Sequence, residues 1–149
     1  MKRYSVADPA RAYPLSDFPG IPFEYAESLR SKRIRNSREF FEQVQTSVQQ
    51  KEWSGATGIP EVRLKELFAL CDLCRITGVE PVFARIIYEA GIRSTKEFAD
   101  TDAAGQHQKY LDIIEKYGYD AEHFVEEDIQ YCIDYANVIL EIEEKSKQE

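Results

Sequence analysis

Shifted by 58 positions, the 149-residue sequence overlays itself. Residues 20–41, GIPFEYAESLRSKRIRNSREFF, fall on residues 78–99, GVEPVFARIIYEAGIRSTKEFA. Gly20/Gly78, Ala26/Ala84, Ile34/Ile92, Arg35/Arg93, Glu39/Glu97 and Phe40/Phe98 are identical, where chance would supply about one identity. Ile21/Val79, Tyr25/Phe83, Leu29/Ile87 and Ser37/Thr95 are conservative pairs. Self-similarity of this kind means one supersecondary unit used twice, each copy burying its apolar face against neighbours.

Both copies share a grammar. A glycine-hydrophobic turn opens a helix of about three turns, with Tyr25, Ala26 and Leu29, or Phe83, Ala84 and Ile87, at helical spacing. A second turn holds Ile34 or Ile92. Capping boxes then start the next helix, Asn36-Ser37-Arg38-Glu39 and Ser94-Thr95-Lys96-Glu97. Further helices are predicted over 42–53, over 60–75 with Leu64, Leu67, Phe68 and Cys71 on one face, and over 103–117. A last helix should start after Asp120 and run to about Lys145. It carries two apolar stripes: Val125, Ile129, Cys132, Ile133, Ala136 and Leu140, then Tyr131, Tyr135, Val138 and Ile142. Two stripes suit a central helix or half of an interface, and the second supplies the candidate interface residues. No segment alternates with period two, so no sheet is expected. Pro9, Pro14 and Pro19 favour an extended arm over residues 1–19. The expected organisation is all-α: residues 20–77 and 78–145 as two repeats packed into one compact domain, with a tail at 146–149.

Length and composition agree with that architecture. A chain of this size buries enough surface to fold without disulfides or a structural metal. After Met1, Lys2 and Arg3, a leader's apolar stretch is interrupted by Asp8, Pro9, Arg11 and Asp17, and nothing is long enough to span a membrane. Three cysteines fit a reducing compartment, so a cytoplasmic protein is expected. The net charge of -8 is unevenly spread. Residues 1–50 hold eight Lys/Arg against six Asp/Glu, whereas residues 101–149 hold four against thirteen. That polarity suits a solvated acidic helix face, or an acidic end that repels polyanions.

The stretch Leu73 to Ala99, LCRITGVEPVFARIIYEAGIRSTKEFA, resembles a helix-hairpin-helix segment. More closely, Thr57-Gly58-Ile59-Pro60, Asp72-Leu73, Arg75-Ile76, Gly78-Val79 and Ala90-Gly91-Ile92 resemble an uncharacterised bacterial family. That family is a domain of unknown function with tandem helix-hairpin-helix units. The resemblance covers residues 18–142, and it implies a fold but no activity. Units of this type elsewhere grip a DNA phosphate with their turn amides and a helix N-terminus. The candidate turns start at Gly20, Gly58, Gly78 and Gly118, and each has lost the motif's second glycine. Pro22 and Pro60 have no N–H to donate, and Glu80 and Asp120 set a carboxylate where phosphate would sit, each suited to capping its following helix.

One cluster points the other way. Arg30, Lys32, Arg33, Arg35 and Arg38 place five cations within nine residues, enough to hold a nucleic acid at low salt. The competing reading is an exposed turn whose arginines cover apolar surface or pair with acids. Cys71 and Cys74 form a C-x-x-C near a helix C-terminus, where the dipole opposes thiolate formation, and no second ligand pair accompanies them. They read as core cysteines; His107 and His123 read as surface residues; Trp53 and the tyrosines read as packing. No catalytic constellation, metal site or cofactor motif emerges. Expectation therefore centres on a non-enzymatic module that binds a protein partner or itself. The alternative is a weak, sequence-independent DNA or RNA binder using Arg30–Arg38.

Overall fold

The computed structural model describes residues 11–148 and places helices at α1 (Phe23–Ser31), α2 (Ser37–Gln43), α3 (Ser47–Thr57), α4 (Glu61–Leu73), α5 (Pro81–Glu89), α6 (Thr95–Ala99), α7 (Ala103–Tyr117) and α8 (Glu126–Lys147). The protein is all-helical among these residues, with a single isolated bridge between Pro14 and Asn36 and a long C-terminal helix. No helix among them is long and apolar enough to cross a membrane.

Helix starts follow proline and capping chemistry. Pro22 and Pro60 stand just before α1 and α4, and Pro81 opens α5, positions where a missing N–H costs nothing. The starts of α1 and α5 are 58 residues apart, and so are those of α2 and α6. The intervening turn repeats bond for bond. Arg33 N donates to Arg30 O at 2.9 Å and Ile34 N to Leu29 O at 3.0 Å, matched by Gly91 N to Tyr88 O at 2.9 Å and Ile92 N to Ile87 O at 3.3 Å. Asn36 Oδ1 then accepts from Glu39 N at 2.9 Å, and Ser94 Oγ from Glu97 N at 3.1 Å. The returning glutamates meet the cap side chains, Asn36 Nδ2 and Ser94 Oγ.

A reciprocal capping box forms instead at Thr46 and Gln49, where each side chain accepts from the other's backbone N–H. It splits the helix expected over 42–53. Val44 is buried in the gap, and Gln50 Nε2 reaches back to Val44 O at 3.3 Å. A second departure is the start of α8 at Glu126. Asp128 Oδ2 accepts from Val125 N at 2.8 Å and fixes the first turn there, which leaves 118–125 irregular. Asp120 therefore caps no helix. Val125, expected in the buried stripe, is 41% exposed. Residues 1–10 of the expected arm lie outside the described residues. The remainder is anchored: Leu15–Asp17 makes a 3-10 turn, Leu15 and Phe18 enter the core, and Ser37 N donates to Tyr13 O at 2.8 Å.

The matched positions of the repeat make the core. Phe40 and Phe98, Leu29 and Ile87, and Ile34 and Ile92 are all buried. Truncating either phenylalanine to alanine would cost about 3–5 kcal/mol. Helix α4 lies centrally, burying Leu64, Leu67, Leu70, Cys71 and Leu73, and packs against α2, α3, α5 and α6. Helix α8 lies on α6 and α7 through Ile129, Cys132, Ile133 and Ala136.

Two polar knots tie this core together. Asp72, 7% exposed, accepts from Thr95 N at 3.2 Å and from Arg75 Nε at 2.9 Å, joining α4 to the start of α6. Arg75 continues to Glu143 on α8 and lies over the Phe41 ring, which stacks on Phe68. The second knot centres on Arg85. Its side chain is 4% exposed and pairs with Glu66 at 2.7 Å, off the hydrogen-bonding direction, and with Glu89 at 3.4 Å. Arg85 Nε donates to Pro19 O at 2.7 Å while Arg63 Nη2 donates to Gly20 O at 2.7 Å. Gly20 has φ +83, and a Cβ there would lie 2.6 Å from Arg85 Nη2, so any other residue would strain the backbone and press on this guanidinium.

Candidate functional site

The four candidate turns have the backbone geometry that glycine favours. Gly20, Gly58, Gly78 and Gly118 all have positive φ. Their amide chemistry, however, is directed inward. Ile21 N donates to Phe18 O at 3.3 Å, Ile59 N to Thr57 Oγ1 at 3.2 Å and Val79 N to Ile76 O at 3.0 Å. Gly58 and Gly118 are the C-caps of α3 and α7, and their own amides close those helices. A phosphate approaching the first two turns meets engaged amides followed by Pro22 or Pro60.

The five cations of the basic cluster are all exposed, from the last turn of α1 to the first of α2. Arg35 pairs with Glu39 at 3.3 Å. Arg33 has φ +71, the single described non-glycine residue in the left-handed region, at the repeat position that Gly91 occupies in the second copy. A side chain there costs about 1–2 kcal/mol of backbone strain.

On α8 the proposed stripe divides. Tyr131 and Tyr135 are half-buried, with ring centroids 5.0 Å apart, and Tyr135 packs against the core. Val138 is half-buried and Ile142 is 46% exposed, so the outward apolar surface lies toward the C-terminal half of the helix.

Sequence reasoning missed a concavity beside α8. A cavity of about 540 Å³ opens between the Gly78 turn, the 118–125 segment and the first turns of α8. Phe83, Phe124 and Tyr131 give it aromatic walls, and Glu80, Asp120, Glu122 and Asp128 give it carboxylates. It arises where the copies diverge: Gly58 leads into α4 at Glu61, whereas Gly118 is followed by an irregular segment up to Glu126. His123 lines this cavity. His107 is not the surface residue expected; its Nε2 is buried, and its ring stands edgewise on Phe124 at 5.6 Å. The available sequence signal was Phe124 and Val125 followed by three acids, an apolar cap ahead of an acidic first turn.

Cys71, Cys74 and Cys132 are free and buried. Burial pushes all three thiols up from their ordinary value of 9.0, with help from Cys74 and Asp72 at Cys71, from Glu80 at Cys74 and from Asp128 at Cys132, which reaches about 12. Reactive thiols show the opposite shift. Among the described residues no three His, Cys, Asp or Glu side chains converge to hold a metal ion.

An all-helical fold with this site places the chain in a broad class rather than a named activity. It belongs to a family described as a domain of unknown function (DUF4332), whose model matches residues 19–137. Among curated proteins and among solved structures, nothing matches the chain.

Proposed function

We propose that this protein is a non-enzymatic, cytoplasmic interaction module built from two tandem helix-hairpin-helix-like units, and that it binds protein through α8 and the groove beside it. The observation that carries the reading is the inward use of the turn amides of Ile21, Ile59 and Val79, with Pro22 and Pro60 next in line. Free, buried cysteines suit a reducing compartment. An acidic C-terminal third repels polyanions and leaves exposed Ile142 beside half-buried Val138 as an apolar contact.

The test is mass in solution as a function of concentration, by light scattering. The reading in its self-associating form expects a rise in mass that Ile142→Glu abolishes while the thermal midpoint stays within about 2 °C, because exposed positions contribute within about 0.5 kcal/mol. A monomer at every concentration, unchanged by Ile142→Glu, contradicts that form.

A second reading, weak sequence-independent nucleic-acid binding by Arg30, Lys32, Arg33, Arg35 and Arg38, is favoured by one observation. Arg33 keeps a long cationic side chain in the left-handed region where the other copy has Gly91, and strain retained in this way marks functional positions. Arg33→Gly is expected to raise stability by about 1 kcal/mol. On this reading it also weakens binding to duplex DNA at about 50 mM salt, and Arg33→Glu with Arg35→Glu removes it. Fluorescence anisotropy alongside urea unfolding measures both. Stabilisation without any change in DNA affinity removes the second reading.

A further inference from the structure

We infer that the cavity between the Gly78 turn and the 118–125 segment receives an arginine or lysine side chain presented by a basic segment of a partner protein. The inference rests on the protein-binding reading above and names the chemistry that the groove selects. Its volume of about 540 Å³ falls within the range of sites that enclose a ligand group. Its lining holds four carboxylates and no lysine or arginine. Of the acids, Glu80, Asp120 and Glu122 are exposed at the mouth, and Asp128 is half-buried, with Oδ2 engaged by Val125 N. An anion entering this space meets like charge from every acidic group; a cation meets complementary charge.

The walls refine the choice. Phe83, Phe124 and Tyr131 offer ring faces or edges of the kind that hold guanidinium and ammonium groups, and they also accommodate the methylene stem of a long side chain. Phe83 touches Tyr110 edgewise at 5.6 Å, and Phe124 touches His107 at 5.6 Å. An arginine side chain supplies five donors on a flat group that stacks on aromatic rings. The site belongs to the second copy alone, because the irregular 118–125 segment that walls it follows Gly118 and not Gly58.

The test uses the full chain labelled with nitrogen-15 and an acetylated, amidated tripeptide of leucine, arginine and leucine. Companion peptides carry lysine, norleucine or glutamate at the centre. The arginine and lysine peptides are expected to give saturable amide shifts at Gly78, His123 and Tyr131, and the norleucine and glutamate peptides none. Glu80→Gln with Glu122→Gln should weaken arginine-peptide binding by about fivefold to tenfold, since both charges are exposed and partly screened by solvent. Both side chains are exposed and neither caps a helix through its carboxylate, so the double variant should keep the wild-type amide spectrum elsewhere. No saturable shift, or norleucine binding as tightly as arginine, overturns the inference. A concentration-dependent mass lost with Arg33→Glu and Arg35→Glu would assign the cavity to a second copy and overturn it too. Peptide failure beside a mass that still depends on Ile142 leaves the protein-binding reading standing; the reverse result removes self-association and keeps the cation site.

Discussion

Replacing Arg85 by alanine is expected to remove about 3–5 kcal/mol of folding stability, measured as a fall in the urea midpoint. Three groups lose a contact at once. Glu89 is left as a carboxylate with its side chain only 27% exposed, Glu66, 11% exposed, keeps only Arg63 at 2.6 Å, and the Pro19 carbonyl loses the donor that holds it at 2.7 Å. Attraction within a buried pair roughly repays desolvation, so the pair itself adds little, whereas half a pair is costly. Arg85→Met, which keeps the packing of the aliphatic stem, is therefore expected to cost less than Arg85→Ala. Against a total stability of about 5–15 kcal/mol, the single variant would stand near the edge of folding. A cost for Arg85→Ala below about 1 kcal/mol would show that the turn at Gly20 is not held by this side chain.

Alkaline pH should act almost as strongly. In the folded chain Cys71, Cys74 and Cys132 hold their protons well above the ordinary value of 9.0, because burial disfavours thiolate, and Cys132 reaches about 12. The unfolded chain releases these protons first, so the stabilisation is fully present below about pH 9 and is lost as pH rises toward the folded values. Each thiol contributes a slope of about 1.4 kcal/mol per pH unit in that window, and three together about 4 kcal/mol per pH unit. Buried Tyr110, also raised by burial and by the nearby Cys132, steepens the fall above pH 10. Urea titrations at pH 8, 9, 10 and 10.5 under reducing conditions read the effect directly, and replacing the three cysteines with alanine should flatten it. A midpoint unchanged between pH 8 and 10.5 contradicts the burial of these thiols. The same burial expects a thiol reagent at pH 8 to label them only as fast as the chain opens.

Much of the helical layout could be read from local patterns, and the reason is physical. Caps, prolines and apolar spacing act within a few residues, so α1, α5, α7 and the body of α4 lie where residue order places them. The break before α3 escaped because Thr46 and Gln49 form a capping box inside an unbroken polar-apolar pattern. The late start of α8 escaped because Asp128, not Asp120, supplies its cap. Long-range polar contacts were beyond any such reading. Nothing local reveals that Arg85, set among Ala84, Ile86 and Ile87, meets a carbonyl 66 residues earlier, or that Asp72 receives Thr95. An arginine within so apolar a helix face was the visible hint. Tyr131 and Tyr135 looked like interface residues because two apolar stripes on one helix do not say which of them the core will cover; Tyr135 turned inward and Ile142 stayed outside. The cavity was invisible for the same reason, since its walls come from α5, the 118–125 segment and α8.

The proposal on which the rest depends is that the turns at Gly20, Gly58 and Gly78 spend their amides within the fold and do not bind phosphate. A titration of the nitrogen-15-labelled chain with duplex DNA at about 50 mM salt tests it, since low salt maximises any electrostatic binding. The account predicts that the amides of Ile21, Ile59 and Val79 stay unshifted to the end of the titration, with any response confined to Arg30–Arg38. Saturable shifts centred on those three amides would contradict it.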